Sequence, residues 1–143
     1  MNVRLRKTDD SARVPAFAHE GDSGLDIYSL EDTELKPLER KLVRTGISIE
    51  MPQGLEAQVR PKSGLALEHG ITLLNTPGTI DSSYRGEIKV LMVNLGDKVY
   101  RIEKNKKIAQ LVFARVEKPN IVEVDSLSDT TRKDGGFGST GLD

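Results

Sequence analysis

The chain has 143 residues with 22 acidic against 21 basic side chains, and its formal net charge of −1 gives no electrostatic case for a nucleic-acid partner. It contains no cysteine, which excludes disulfides, thiol catalysis and cysteine metal sites, and fits a reducing compartment. Its apolar runs are too short to span a bilayer. Arg4, Arg6 and Lys7 are followed by Asp9 and Asp10 instead of an apolar stretch, so no signal peptide is expected. The expectation is one soluble, cytoplasmic domain with its own core and no membrane partner.

Strand-like segments recur along the chain at Val3–Leu5, Gly24–Tyr28, Leu42–Met51, Leu55–Arg60, Ile71–Leu74, Ile88–Asn94, Val99–Ile102, Lys107–Val116 and Ile121–Val124. Short breaks such as Lys36-Pro37, Pro52-Gln53-Gly54 and Gly96-Asp97-Lys98 separate them, which predicts an all-β sandwich, jelly roll or barrel. One helix is expected, Ser63–His69, with Pro61 before it, Ser63 as its N-cap and Gly70 at its C-cap. Residues 1–124 form the expected core. After Val124 the composition changes: glycines crowd around Phe137, and Leu127, Phe137 and Leu142 are the large apolar residues. Residues 125–143 are expected to be a flexible, Gly-rich arm, long enough at roughly 60 Å when extended to reach a neighbouring subunit.

Five stretches carry polar residues at places where chemistry is usually built. Gly21-Asp22-Ser23-Gly24-Leu25-Asp26 puts Asp26 at the mouth of a strand, either as a plain turn carboxylate or as part of a site. Arg60-Pro61-Lys62-Ser63-Gly64 opens the short helix, whose first amides, with the Ser63 hydroxyl and Lys62, suit an anion as well as they suit a capped structural helix. Asn75-Thr76-Pro77-Gly78 has turn chemistry and leads into Thr79-Ile80-Asp81-Ser82-Ser83-Tyr84-Arg85-Gly86-Glu87, read as a turn region between two strands. An Asp on such an element can orient a water, and Tyr84 can wall a pocket. Lys107-Ile108-Ala109-Gln110 places Gln110 inside an apolar run, where it needs hydrogen-bond partners from backbone or ligand. In the arm, Arg132, Phe137, Gly138, Ser139 and Thr140 could close over a phosphorylated ligand. His19 and His69 are isolated, so no protein-only metal cage is implied.

In this order and spacing the five stretches resemble the motifs of the trimeric dUTP diphosphatases (dUTPases), and the resemblance runs from about Val3 to Leu142. It implies a distorted β jelly roll that forms a homotrimer, with each active site shared among subunits. The implied reaction is hydrolysis of dUTP to dUMP and pyrophosphate, which limits uracil in DNA and supplies dUMP for dTMP synthesis. By the resemblance, Asp81 is the general base for water attack on the α-phosphorus. Mg²⁺ is held mainly by the phosphates, with Asp26 near it through water. Asn75 and backbone at Ile80 would read uracil, and Tyr84 would stack under deoxyribose. Lys62, Ser63, Gly64 and Gln110 would contact phosphate. Phe137 would cover uracil, with Arg132, Gly138, Ser139 and Thr140 on the phosphates. Lys62 and Lys107 stand where the family usually has Arg, which keeps charge but loses the bidentate fork. Two rivals share the implied fold, a dCTP deaminase and a nucleotide-binding trimer without turnover. The Ile-Asp-x-x-Tyr-Arg-Gly-Glu form of the third motif favours the diphosphatase.

Overall fold

The computed structural model describes residues 2–136 and 139. In chain order the strands are β1 (Arg4–Lys7), β2 (Leu25–Tyr28), β3 (Thr33–Leu35), β4 (Arg40–Arg44), β5 (Ile47–Glu50) and β6 (Leu55–Arg60). The helix α1 (Ser63–His69) follows, then β7 (Ile71–Leu73), β8 (Gly78–Asp81), β9 (Lys89–Asn94), β10 (Tyr100–Ile102) and β11 (Lys107–Arg115). The expected all-β class with one short helix is therefore present. Every pairing between these strands is antiparallel, in sheets ordered β2-β11-β6-β8, β4-β9-β7, β1-β5 and β10-β3. They wrap one core as a distorted jelly roll. Ile27, Leu35, Val43, Ile47, Ile71, Ile88, Val90, Met92, Ile102 and Leu111 are essentially inaccessible within it. Each such aliphatic side chain stabilises the fold by about 1.5–3 kcal/mol relative to exposure.

The four-stranded sheet matters most for function, because its two faces differ in chemistry. Leu25, Ile27, Ala109, Leu111, Val59, Ala57, Gly78 and Ile80 occupy paired positions on one face, and most of them belong to the core or pack against it. The alternation of a pleated strand then puts Asp26, Gln110, Arg60, Gln58, Glu56, Thr79 and Asp81 together on the opposite face. In a regular strand Lys107 and Gln110, three residues apart, would face opposite ways. A bulge between Lys107 and Ala109 inserts one residue and brings both onto the polar face.

Several expected elements differ in detail. Leu42–Met51 is two strands, since Gly46 takes a left-handed φ of 71° and turns the chain from one sheet to another. The stretch from Gly78 to Asp81, expected as turn, is a strand whose β-branched Thr79 and Ile80 pair with Gln58 and Ala57. Thr33–Leu35 was not expected as a strand; its pairing with β10 supplies what its composition does not. Ile121–Val124 forms no strand, because it has no pairing partner among the described residues and a strand needs a ladder; Ile121, Val122 and Val124 are exposed. Lys62 rather than Ser63 is the N-cap of α1: its backbone is extended (φ −100°, ψ 127°) and its carbonyl accepts the first helical bond, from the Ala66 amide at 3.1 Å. Gly70 does close the helix, in the left-handed conformation at φ 68°.

Candidate active site

Polar groups gather at two corners of the polar face of the four-stranded sheet. At one, Asp26 is buried, with 4% of its surface exposed, yet two ammonium groups converge on it. Lys62 Nζ lies 2.5 Å from Oδ1 and Lys107 Nζ lies 2.6 Å from Oδ2. Burial alone pushes the carboxyl up, but hydrogen bonds from Lys107 and Lys62 outweigh it and hold Asp26 below its usual value; the same bond raises Lys107. Lys62 and Lys107 thus share one carboxylate, with each taking a single oxygen as a point charge can. Gln110 lies beside them against Gly24 and donates from Nε2 to the Pro61 carbonyl at 3.0 Å, so its need for a partner is met by backbone. Asp26, Lys62, Lys107, Gln110, Ser23 and His19 are among the residues lining a cavity of about 380 Å³. Ser63 and Gly64 are exposed at the start of α1, the Ser63 hydroxyl is not used as a cap, and open space lies off the Gly64 Cα.

At the other corner Asp81 ends β8, exposed, opposite Glu56 of β6. The Asp81 carbonyl accepts the Tyr84 amide at 3.0 Å and closes the turn that brings the half-exposed Tyr84 ring back beside Asp81. These two, with Ile80, Thr79, Leu42, Glu87 and Lys89, line a cavity of about 430 Å³. Since the Ile80 side chain packs against the core, its backbone is what this cavity can use. Asn75 is exposed in the hairpin ahead of β8, its amide nitrogen packed on Gly78.

The two corners are not one site within a single chain. Asp26 is level with Gln110 and Arg60, whereas Asp81 is level with Glu56. Four residues of strand rise and three strand spacings put their backbones roughly 20 Å apart. Along β6, Arg60 donates to Gln58 Oε1 at 2.7 and 3.0 Å, and Gln58 donates to Glu56 Oε1 at 2.6 Å, a ladder running from one corner toward the other. In the arm, Arg132 Nε donates to the Gly135 carbonyl and the Ser139 amide to the Gly136 carbonyl, so these bonds stay within the arm. Phe137, Gly138 and Thr140 lie outside the described residues.

A family model described as dUTPase matches residues 10–141. The deoxyuridine 5′-triphosphate nucleotidohydrolase of Clostridium kluyveri is 57% identical over 141 residues, covering 99% of each chain. That of Clostridioides difficile is 53% identical over 141 residues, again covering 99% of each. The chain belongs to the dUTPase family. Its fold agrees: a solved structure of the Staphylococcus bacteriophage 80alpha dUTPase with dUPNHPP superposes with a TM-score of 0.93 at 25% identity, over 99% of both chains.

Sequence reasoning missed several residues that this dUTPase places at the Asp81 corner. Leu42 left a trace: it stands next to buried Val43 in β4, and alternation puts one of two adjacent apolar residues on the outer face. Glu56 and Lys89 left none, because a charged residue on an outer strand face is ordinary. Among the described residues there is no group of three or more His, Asp or Glu side chains that could hold a metal, and no helix is long and apolar enough to cross a membrane.

Proposed function

We propose that this dUTPase hydrolyses dUTP to dUMP and pyrophosphate with Asp81 as general base. The observation that carries the reading is the placement of an exposed carboxylate at the end of a rigid strand, in the same cavity as an aromatic ring. Asp81 accepts a proton from a water whose oxygen attacks the α-phosphorus. The bond from that phosphorus to the bridging oxygen breaks, and pyrophosphate leaves with the electron pair. Asn75 and the backbone of β8 hydrogen-bond the uracil edge, and cytosine would leave those groups unpaired. Tyr84 forms the wall under the sugar and leaves no room for a 2′-hydroxyl. Lys62, Ser63, Gly64 and Gln110 bind phosphates, and Arg132, Phe137, Gly138, Ser139 and Thr140 close over the substrate from an arm that spans residues 125–143 beyond a core of residues 1–124.

The roughly 20 Å between corners supports a site shared between copies, and we infer a homotrimer on that ground together with the family. The donor set fits Mg²⁺ carried on phosphate oxygens, not one caged by protein. Asp26 already holds a lysine on each oxygen, and the acceptor sites left on a carboxylate suit a metal-bound water. When bound, Mg²⁺ neutralises phosphate charge. The cytoplasm, where free nucleotides are processed, is the compartment this reading implies.

The test is pyrophosphate release with Mg²⁺ from dUTP, dCTP, dTTP and UTP. Release from dUTP alone is expected. Equal release from UTP would remove the sugar wall, and ammonia from dCTP would move the chain to the deaminase reaction.

A further inference from the structure

Tyr84 is held in an unusual way for a residue in an exposed loop. Its hydroxyl donates to the Glu87 carbonyl at 3.1 Å, and its ring lies across Gly86 so closely that a Cβ there would sit 2.3 Å from the hydroxyl oxygen. The position of the ring therefore follows the backbone at residues 86 and 87. That backbone is in turn tethered by the Glu87 side chain, which is 13% exposed. Arg44 grips the carboxylate through Nε at 3.1 and 3.2 Å and through a terminal nitrogen at 3.1 Å, and the Gly46 amide donates to the same carboxylate at 3.0 Å. Immediately downstream, Ile88 is fastened to the same β4–β5 corner: its amide donates to the Ile47 carbonyl at 2.8 Å and its carbonyl accepts from the Thr45 hydroxyl at 2.5 Å. A bidentate guanidinium pair with a backbone donor fixes direction as well as distance. The low exposure of the Glu87 side chain limits competition from water.

We propose that Glu87, clamped by Arg44 and Gly46, is a positioning residue for sugar selection: it fixes the backbone on which the Tyr84 ring rests. Glu87 borders the Asp81 cavity, but its carboxylate is taken up by Arg44 and Gly46. It acts through the carbonyl that Tyr84 bonds and through the glycine that Tyr84 covers. Loosening the clamp lets the ring swing away from Gly86 and opens the space a 2′-hydroxyl would take. The inference rests on Tyr84 being the sugar wall.

The experiment compares kcat/KM for dUTP and UTP in Glu87→Gln, Arg44→Met and Tyr84→Ala, with thermal unfolding of each. Glu87→Gln keeps the shape and an acceptor for the Gly46 amide but weakens the guanidinium pair. Arg44→Met removes that pair from a half-exposed position and tests the clamp if Glu87→Gln fails to fold. The expected result is a dUTP/UTP preference reduced roughly three- to tenfold in both clamp variants, and further in Tyr84→Ala. A general loss of structure would lower both substrates together and leave the ratio in place. If the ratio stays within about twofold of the parent in the clamp variants while Tyr84→Ala collapses it, the clamp has no role in selection. If Tyr84→Ala itself leaves the ratio unchanged, the sugar wall is misplaced and the inference falls with it.

Discussion

Asp26 is both buried and charged, a combination that holds only while its two lysines are present. Its folded-state pKa lies below the ordinary value of 3.8. The stabilisation from this cluster is therefore complete above about that pH, and is lost as pH falls through the lower folded value. Asp26→Asn removes the charge and leaves two ammonium groups facing each other around a neutral amide. The expected cost is about 1–3 kcal/mol at pH 7, less than for a fully buried pair because both lysines reach solvent. Urea unfolding measures it, and the gap between parent and variant should narrow as pH falls below 3.8 and Asp26 in the parent takes up its proton. A gap that is constant with pH would mean the lysines do not stabilise the carboxylate. Asp81 is the opposite case: it is exposed, and the role proposed for it is chemical. Asp81→Asn should bind dUTP about as well as the parent while turnover drops by about 10²–10⁴-fold. Isothermal titration with a non-hydrolysable analogue separates the two effects, and near-full turnover would remove Asp81 as the base.

At the scale of elements, α1 is held mainly by its ends: none of its residues is fully buried, and Leu65 is its one side chain packed against the core. Gly70 ends it in a left-handed turn that presses on the chain after β9: a Cβ there would lie 2.5 Å from the Gly96 nitrogen and 2.9 Å from its Cα. Gly70→Ala should therefore destabilise the fold by about 2–4 kcal/mol, the sum of a strained φ and a backbone collision. Gly54→Ala is the control, since Gly54 has φ +82° with nothing within 4 Å, and should cost only about 1 kcal/mol. Equal losses in thermal unfolding would mean that the contact with Gly96 relaxes freely. The helix shows what was legible in the chain. Between Pro61 and Gly70 the helix takes every residue after its N-cap Lys62, as β6 fills the run between Gly54 and Pro61. β8 was not legible, because Pro77 and Gly78 read as turn while its pairing with β6 is a tertiary fact. The Lys62–Asp26–Lys107 cluster was hidden for the same reason, and the bulge that aims Lys107 leaves no mark in composition. Asp81 and Tyr84 stand out in the sequence as a carboxylate and a ring on one short element, Asn75 only through the resemblance, and the fold gathers Asp81 and Tyr84 into one cavity. Glu87 stood in the same motif without a role, because its partner Arg44 lies on a strand far away in sequence.

On the scale of the whole molecule, one copy holds the Asp81 corner and the Asp26 corner roughly 20 Å apart on a single face. A water poised at Asp81 and phosphates seated near Lys62 and Gln110 of the same copy would not meet. If sites form between copies, then a chain damaged at one corner still carries an intact version of the other. Two inactive variants should then complement each other. Asp81→Asn keeps the phosphate corner, and Ser63→Ala combined with Gln110→Ala keeps Asp81. Neither should hydrolyse dUTP at an appreciable rate alone. Refolded or expressed together, they would form mixed trimers in which about a quarter of sites draw both intact corners, each from a different copy, so close to that fraction of parental activity should return. Native mass spectrometry on size-tagged chains confirms that mixing has occurred. Activity that stays at the level of the separate variants in demonstrably mixed oligomers would mean that each copy works alone, and that the polar face must bend or the substrate must bridge its diagonal.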